Sequence, residues 1–164
     1  MNTPDQIEKH ITLRAPVDRV WRAISQAHEF GAWFGVHFDG PFVAGAPVTG
    51  RITPTTVDPE VAKLQEPHAG TPFTITIERI EPPRRFSFRW HPYAVDPSHD
   101  YDAEPTTLVE FTLSPVDGGT HVVITESGFD RIPLARRAAA FGANDGGWTH
   151  QCRLIELYVH DHAS

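Results

Sequence analysis

The sequence predicts an α+β domain in which one curved antiparallel sheet of six to seven strands wraps on a single long C-terminal helix. Three observations carry that expectation. At about 100° per residue, Leu134, Phe141, Trp148, Cys152, Ile155 and Val159 fall on one apolar stripe, which is the mark of a helix. Ahead of that stripe the chain reads mainly as short alternating segments punctuated by Gly and Pro, the pattern of strands and turns. Only two short helical stretches interrupt it, both directly after the first strand. A long helix with a single apolar stripe needs a sheet to lie on.

Ile7 to Leu13 alternates with Ile7, Ile11 and Leu13 on one face, Lys9 being the exception, and is the first strand. Pro16 suits the opening turn of a helix whose buried face is Val17, Val20, Trp21 and Ile24. Gln26 to Gly35 makes a second short helix around Phe30, Trp33 and Phe34, closed by Gly31 or Gly35. Strand segments follow at Val36–Asp39 and Pro47–Thr53. A Pro-rich loop from Pro54 to Thr71 comes next, with room for one helical turn at Val61–Leu64. Phe73–Glu78, Arg85–Trp90 and Thr107–Leu113 alternate as strands. Pro82-Pro83 fixes one turn, and Asp117-Gly118-Gly119 makes a hairpin into the strand Thr120–Glu126. Parity places Arg89 and Glu110 outward on neighbouring strands, where a cross-strand ion pair is expected. In the final helix, Leu154 and Tyr158 widen the apolar stripe, and Thr149, Arg153, Glu156 and His160 mark the polar side.

Composition narrows the function classes. At 164 residues the chain fits one domain, residues 1–164, with enough length for a real core. A net charge of −7 and the absence of Lys/Arg runs argue against a nucleic-acid surface. No apolar run approaches the roughly 18 residues of a membrane helix, and no basic-then-apolar leader opens the chain, so a cytoplasmic protein with no membrane insertion is expected. The single cysteine, Cys152, rules out an intrachain disulfide and a multi-Cys metal site, and its place beside Trp148 makes it a buried, inert thiol. Ten histidines invite a metal reading. Neither the His91, His99, Asp100, Asp102 group nor the terminal His160-x-His162 has a ligand spacing, so no metal and no cofactor is expected.

Ala15-Pro16-Val17-Asp18-Arg19-Val20-Trp21, then Trp33-Phe34-Gly35, Gly128-Phe129 after the last strand and Gly147-Trp148 in the final helix occur together in order. This ordered set resembles the START-like (SRPBCC) superfamily, in its branch similar to Activator of Hsp90 ATPase homologue-like proteins, over about Ile7 to Val159. The resemblance implies a helix-grip fold enclosing an apolar cavity. It also implies a function among binders of hydrophobic molecules, cyclase-type enzymes and chaperone activators. One fold with several functions calls for an argument from the site. Nothing in this chain matches the separate N-terminal domain of the eukaryotic activators. The acidic insertion from Pro92 to Glu104 lengthens a hairpin and is placed to cover one cavity mouth.

The expected ligand-binding residues are Trp33, Phe38, Phe73, Ile75, Phe88, Trp90, Phe111, Asn144, Trp148 and Cys152, aromatic and apolar groups whose parity turns them toward the helix stripe. Trp90 and Trp148 each carry an N–H that needs a partner, in protein or ligand. Asn144 and Arg137 are polar residues near the stripe. If the helix runs through Gly142–Gly147, Asn144 faces the cavity. If it breaks there, Asn144 or Asp145 caps the helix that follows. The first functional reading is non-catalytic binding of a small hydrophobic molecule (aromatic, lipid or polyketide-like) in an internal cavity. A second is a polyketide cyclase/dehydratase-type enzyme using Asn144, His91 or Tyr93 for proton transfer. A third is a chaperone ATPase activator-like interaction module with a chaperone as partner and an exposed apolar patch. With no recognisable catalytic signature in the chain, binding ranks above catalysis.

Overall fold

A computed structural model describes residues 5–94 and 98–161 of the chain. The centre of the 92–104 insertion (residues 95–97) and His162 of the terminal histidine pair lie outside the described residues. Seven strands form one antiparallel sheet: β1 (Gln6–Leu13), β2 (Val36–Phe38), β3 (Pro47–Ile52), β4 (Pro72–Glu81), β5 (Arg85–Trp90), β6 (Thr107–Val116) and β7 (Gly119–Ser127). Their spatial order is β1-β7-β6-β5-β4-β3-β2. Four α-helices accompany them: α1 (Val17–Ser25), α2 (Ala27–Phe34), α3 (Pro59–Gln65) and α4 (Leu134–Asp161). This is the helix-grip arrangement, with α4 lying against β1, α1 and α2.

The strand alternation translates directly into an inner face. On β7 the buried residues are Thr120, Val122, Ile124 and Glu126, and on β6 they are Thr107, Val109, Phe111 and Leu113. β4 meets β5 with a register shift between Ile77 and Arg79, a bulge that adds twist where the sheet must curve. Gly35 closes α2 in the left-handed region at φ 100°, a conformation costly for any residue with a Cβ. The Phe34 carbonyl at that end accepts amide N–H groups from Gln65 of α3 at 3.0 Å and Gln151 of α4 at 3.1 Å. Three helices are thereby tied at one point, and Phe34 is held between them.

The space expected to be an enclosed cavity is largely filled. Phe30 of α2 inserts between sheet and helix, with its ring centroid 4.9 Å from Phe34, 6.1 Å from Phe38 and Phe88, and 6.2 Å from Phe111. Trp33 beside it donates its indole N–H to the Ala23 carbonyl at 2.9 Å and is fully buried.

α4 runs without a break through Gly142–Gly147. Neither Asn144 nor Asp145 acts as a cap. Asp145 receives Lys9 at 2.8 Å, which explains the one charged residue on the inward face of β1. The apolar stripe of the helix differs at its start, where Leu134 is 79% exposed and Ala138 and Ala139 are exposed residues of high helix propensity, so that packing against the core begins at Ala140. Arg137 turns back to the Ile132 and Asp130 carbonyls at 3.1 and 2.8 Å and pins the turn ahead of α4. The Arg89–Glu110 pair expected from parity does not form. Register places Glu110 opposite Ser87, and Arg89 reaches Glu78 on the other neighbouring strand at 3.1 Å.

Candidate functional site

Glu126, near the end of β7, is 0% exposed and is the focus of five hydrogen bonds. Trp90 donates its indole N–H to Oε2 at 2.8 Å and Thr107 its hydroxyl to the same oxygen at 2.6 Å. Trp148 donates to Oε1 at 2.9 Å, and the Asn144 amide N–H₂ reaches both oxygens at 3.0 and 2.9 Å. Sheet register assembles the first three groups, since Trp90 is paired with Thr107 across β5 and β6, and Val109, two residues along, is paired with Glu126 across β6 and β7. α4 supplies the rest. Asn144 and Trp148, four residues apart, share one face of the helix. A buried carboxylate is costly unless its lone pairs are met, and here every nearby donor is aimed at it.

In front of this group lies a half-open cleft of about 620 Å³. Phe34, Phe73 and Trp90 form its aromatic wall, with ring centroids 5.6 to 6.0 Å apart. Asn144, Ala143 and Gly147 line it from α4, and His68, His91 and Tyr93 from the connecting loops. Tyr93 has a positive φ of 51°, uncommon for a residue with a side chain, and its aromatic body is 43% exposed at the rim. The Arg136 guanidinium holds that loop by donating to the Pro92 carbonyl at 2.8 Å, while also pairing with Glu104 at 2.7 Å. Arg136 and then His99 keep the Glu104 carboxyl below the usual carboxylate range against the opposing effect of burial. The insertion is therefore fastened to the start of α4 beside the cleft.

Of the ten residues expected at a ligand site, Phe73, Trp90 and Asn144 line this cleft. Trp148 stands directly behind it, 5.8 Å from Trp90 and bonded to Glu126. Trp33, Ile75, Phe88 and Phe111 are buried in the packed core around Phe30 instead, because that ring occupies the volume they would have enclosed. Phe38 is buried and borders a separate groove between α2 and β2. Cys152 is half-buried away from the cleft. Burial pushes its thiol up, leaving little thiolate for chemistry.

His91 lines the cleft despite its adjacency to Trp90, because β5 ends at Trp90 and strict alternation stops there. Its Nδ1 is buried without a protein partner, and Nε2 is 3.8 Å from Asp102. His99 sits 2.6 Å from Glu104. Among the described residues no group of three or more His, Cys, Asp or Glu side chains could hold a metal ion. Glu126 and Thr107 were not among the expected site residues. The signal was present, since Glu126 shares parity with Val122 and Ile124 and so had to point inward.

The sequence profile of the Activator of Hsp90 ATPase homolog 1-like proteins matches residues 14–160. The chain belongs to this family. As an Activator of Hsp90 ATPase homolog 1-like protein, of the START-like superfamily, it has close structural counterparts at low sequence identity. The DynU16 crystal structure, from the dynemicin biosynthetic locus, superposes with a TM-score of 0.69 at 22% identity, covering 98% of this chain. The chain spans only 49% of the length of DynU16. MLL2253 from Mesorhizobium loti gives the same TM-score and identity over 95% of this chain and 97% of its own. CalU16 from Micromonospora echinospora gives 0.62 at 19% identity, over 94% of this chain and 75% of its own. These likenesses show the fold. No curated protein matches the sequence. No helix among the described residues is long and apolar enough to cross a membrane.

Proposed function

We propose that this protein binds a small, flat hydrophobic molecule non-covalently in the cleft between the β4–β5 end of the sheet and the middle of α4. The observation that carries this reading is the incomplete burial of Phe73 and Trp90. In a core where Phe30, Phe86, Phe88 and Phe111 are fully buried, these two rings are only partly buried, side by side, on the wall of one cleft. Its volume lies within the usual range of small-molecule sites, and Asn144 supplies the polar contact that such sites use for orientation. Among the described residues the large exposed apolar side chains, Val43, Leu64, Tyr93, Val116 and Leu134, are spread over five different elements. That distribution favours a pocket over a broad apolar docking face for a chaperone.

Isothermal titration of a panel of bicyclic and tricyclic aromatics tests the proposal. Saturable one-to-one binding is expected, weakened about tenfold by Phe73→Ala through loss of one aromatic face. Absence of binding across the panel, or binding that Phe73→Ala and Asn144→Ala leave unchanged, refutes it.

A catalytic reading of the same cleft has one specific support. The His91 imidazole lines the cleft and its buried Nδ1 has no protein partner, which leaves the ring as the candidate to exchange a proton with a ligand that reaches it. A His91→Ala protein that binds ligand normally but loses turnover of a cyclisable substrate would select this reading. Absence of turnover in the parent protein would remove it.

A further inference from the structure

No Lys or Arg side chain among the described residues pairs with Glu126. Among the described residues, Lys9 is engaged by Asp145 and Arg136 by Glu104, and every group on Glu126 is a neutral donor. The Trp90 and Trp148 N–H groups and the Asn144 amide nitrogen have no acceptor to offer. Only the Thr107 hydroxyl could receive a proton from the acid, so four of the five contacts favour the anion. The surrounding dipoles solvate the charge locally but do not cancel its field, which is weakly screened in a dry interior.

We infer that the ligand of this cleft is a flat aromatic cation, of the class of N-alkylated nitrogen heterocycles, stacked on Trp90 and Phe73 with the Glu126 charge behind them. The inference rests on the ligand-binding reading above and narrows it to a chemical class. Two further features point the same way. Both Asn144 contacts to Glu126 come from Nδ2, so the planar amide turns its oxygen away from the carboxylate and offers an acceptor to whatever meets it. Trp90 is the aromatic type best suited to a cation, and its N–H is polarised by the carboxylate, which enriches the ring. No Lys or Arg is among the described residues lining the cleft, and its basic groups are the imidazoles of His68 and His91, which when neutral do not oppose a fixed positive charge in the ligand. Glu126 does not touch the ligand in this arrangement. It is a positioning residue that acts through Asn144 and Trp90 and through its field.

The test uses two probes of one shape and different charge, 1-methylquinolinium and 1-methylnaphthalene. Each is titrated into the full chain and followed by the Trp90 indole N–H resonance. The cation is expected to bind at least about tenfold more tightly, the scale of a desolvated cation–π contact. In Glu126→Gln that ratio should fall severalfold, to what the Trp90 and Phe73 faces give alone, and in the charge-retaining Glu126→Asp it should largely return. Equal binding of the two probes, or tighter binding of the neutral one, overturns the inference and leaves the ligand-binding reading intact. Failure of both probes, together with the aromatic panel, removes both. A folded Glu126→Gln protein that keeps the full preference overturns the role given to Glu126. If that variant does not fold, the parent ratio decides the ligand class alone.

Discussion

Thr107→Val replaces a fully buried hydroxyl by a methyl of nearly the same shape and removes the 2.6 Å bond to Glu126. A hydrogen bond to a charged group contributes about 1.5–3 kcal/mol, against about 0.5–1.5 for one between neutral groups. The other four bonds to Glu126 remain, so the carboxylate is weakened rather than orphaned, and the added methyl packs partly against charge and recovers little. A loss of about 2 kcal/mol follows, equivalent to roughly 4–8 °C in Tm for a chain of this length. The molecule contains its own control. Thr120 is equally buried, but its hydroxyl donates at 2.8 Å to a neutral acceptor, the Ala15 carbonyl. Thr120→Val should cost about 1 kcal/mol. Urea unfolding of both variants, followed by near-ultraviolet circular dichroism, measures the difference. A Thr107→Val cost equal to or below that of Thr120→Val would refute the assignment of Glu126 as a charged acceptor.

Two other outcomes can be measured on the same preparations. An ideal Cβ at Gly142 or Gly146 meets nothing within 4 Å, so Gly142→Ala and Gly146→Ala should each stabilise the continuous α4 by about 1 kcal/mol; a destabilisation at either position would contradict an unbroken helix there. Because Arg136 holds the Glu104 carboxyl below its ordinary range, the loop-to-α4 tie contributes fully above that range and is lost as pH falls through the lowered value. A carboxyl titration by NMR should show a depressed midpoint for Glu104 that rises in Arg136→Gln, and an ordinary midpoint in the parent protein would refute the tie.

The order of elements was legible because it depends on local periodicity. Period-two alternation and Gly/Pro punctuation marked all seven strands, and the 3.6-residue stripe marked α4, since backbone geometry imposes those repeats wherever a face is buried. Parity does not reveal a partner that the assembled fold supplies. Lys9 on the inward face of β1 meets Asp145 of α4, and Arg89 pairs with Glu78 and not Glu110 because register decides its neighbour. The stripe also overstated packing at Leu134, where periodicity continues but no surface faces it.

By itself the sequence determined a sheet gripping one long helix, and it named Phe73, Trp90, His91, Tyr93 and Asn144, all of which line the cleft. Only the tertiary structure decided that Phe30 fills the volume between sheet and helix, so that the open space lies at one end as a cleft. It also brought Trp90, Thr107, Asn144 and Trp148, from β5, β6 and α4, onto the single carboxylate of Glu126. The physical reason is that alternation fixes which way a side chain points, whereas what it meets depends on strand register and on the depth at which a helix settles. Both are properties of the assembled chain.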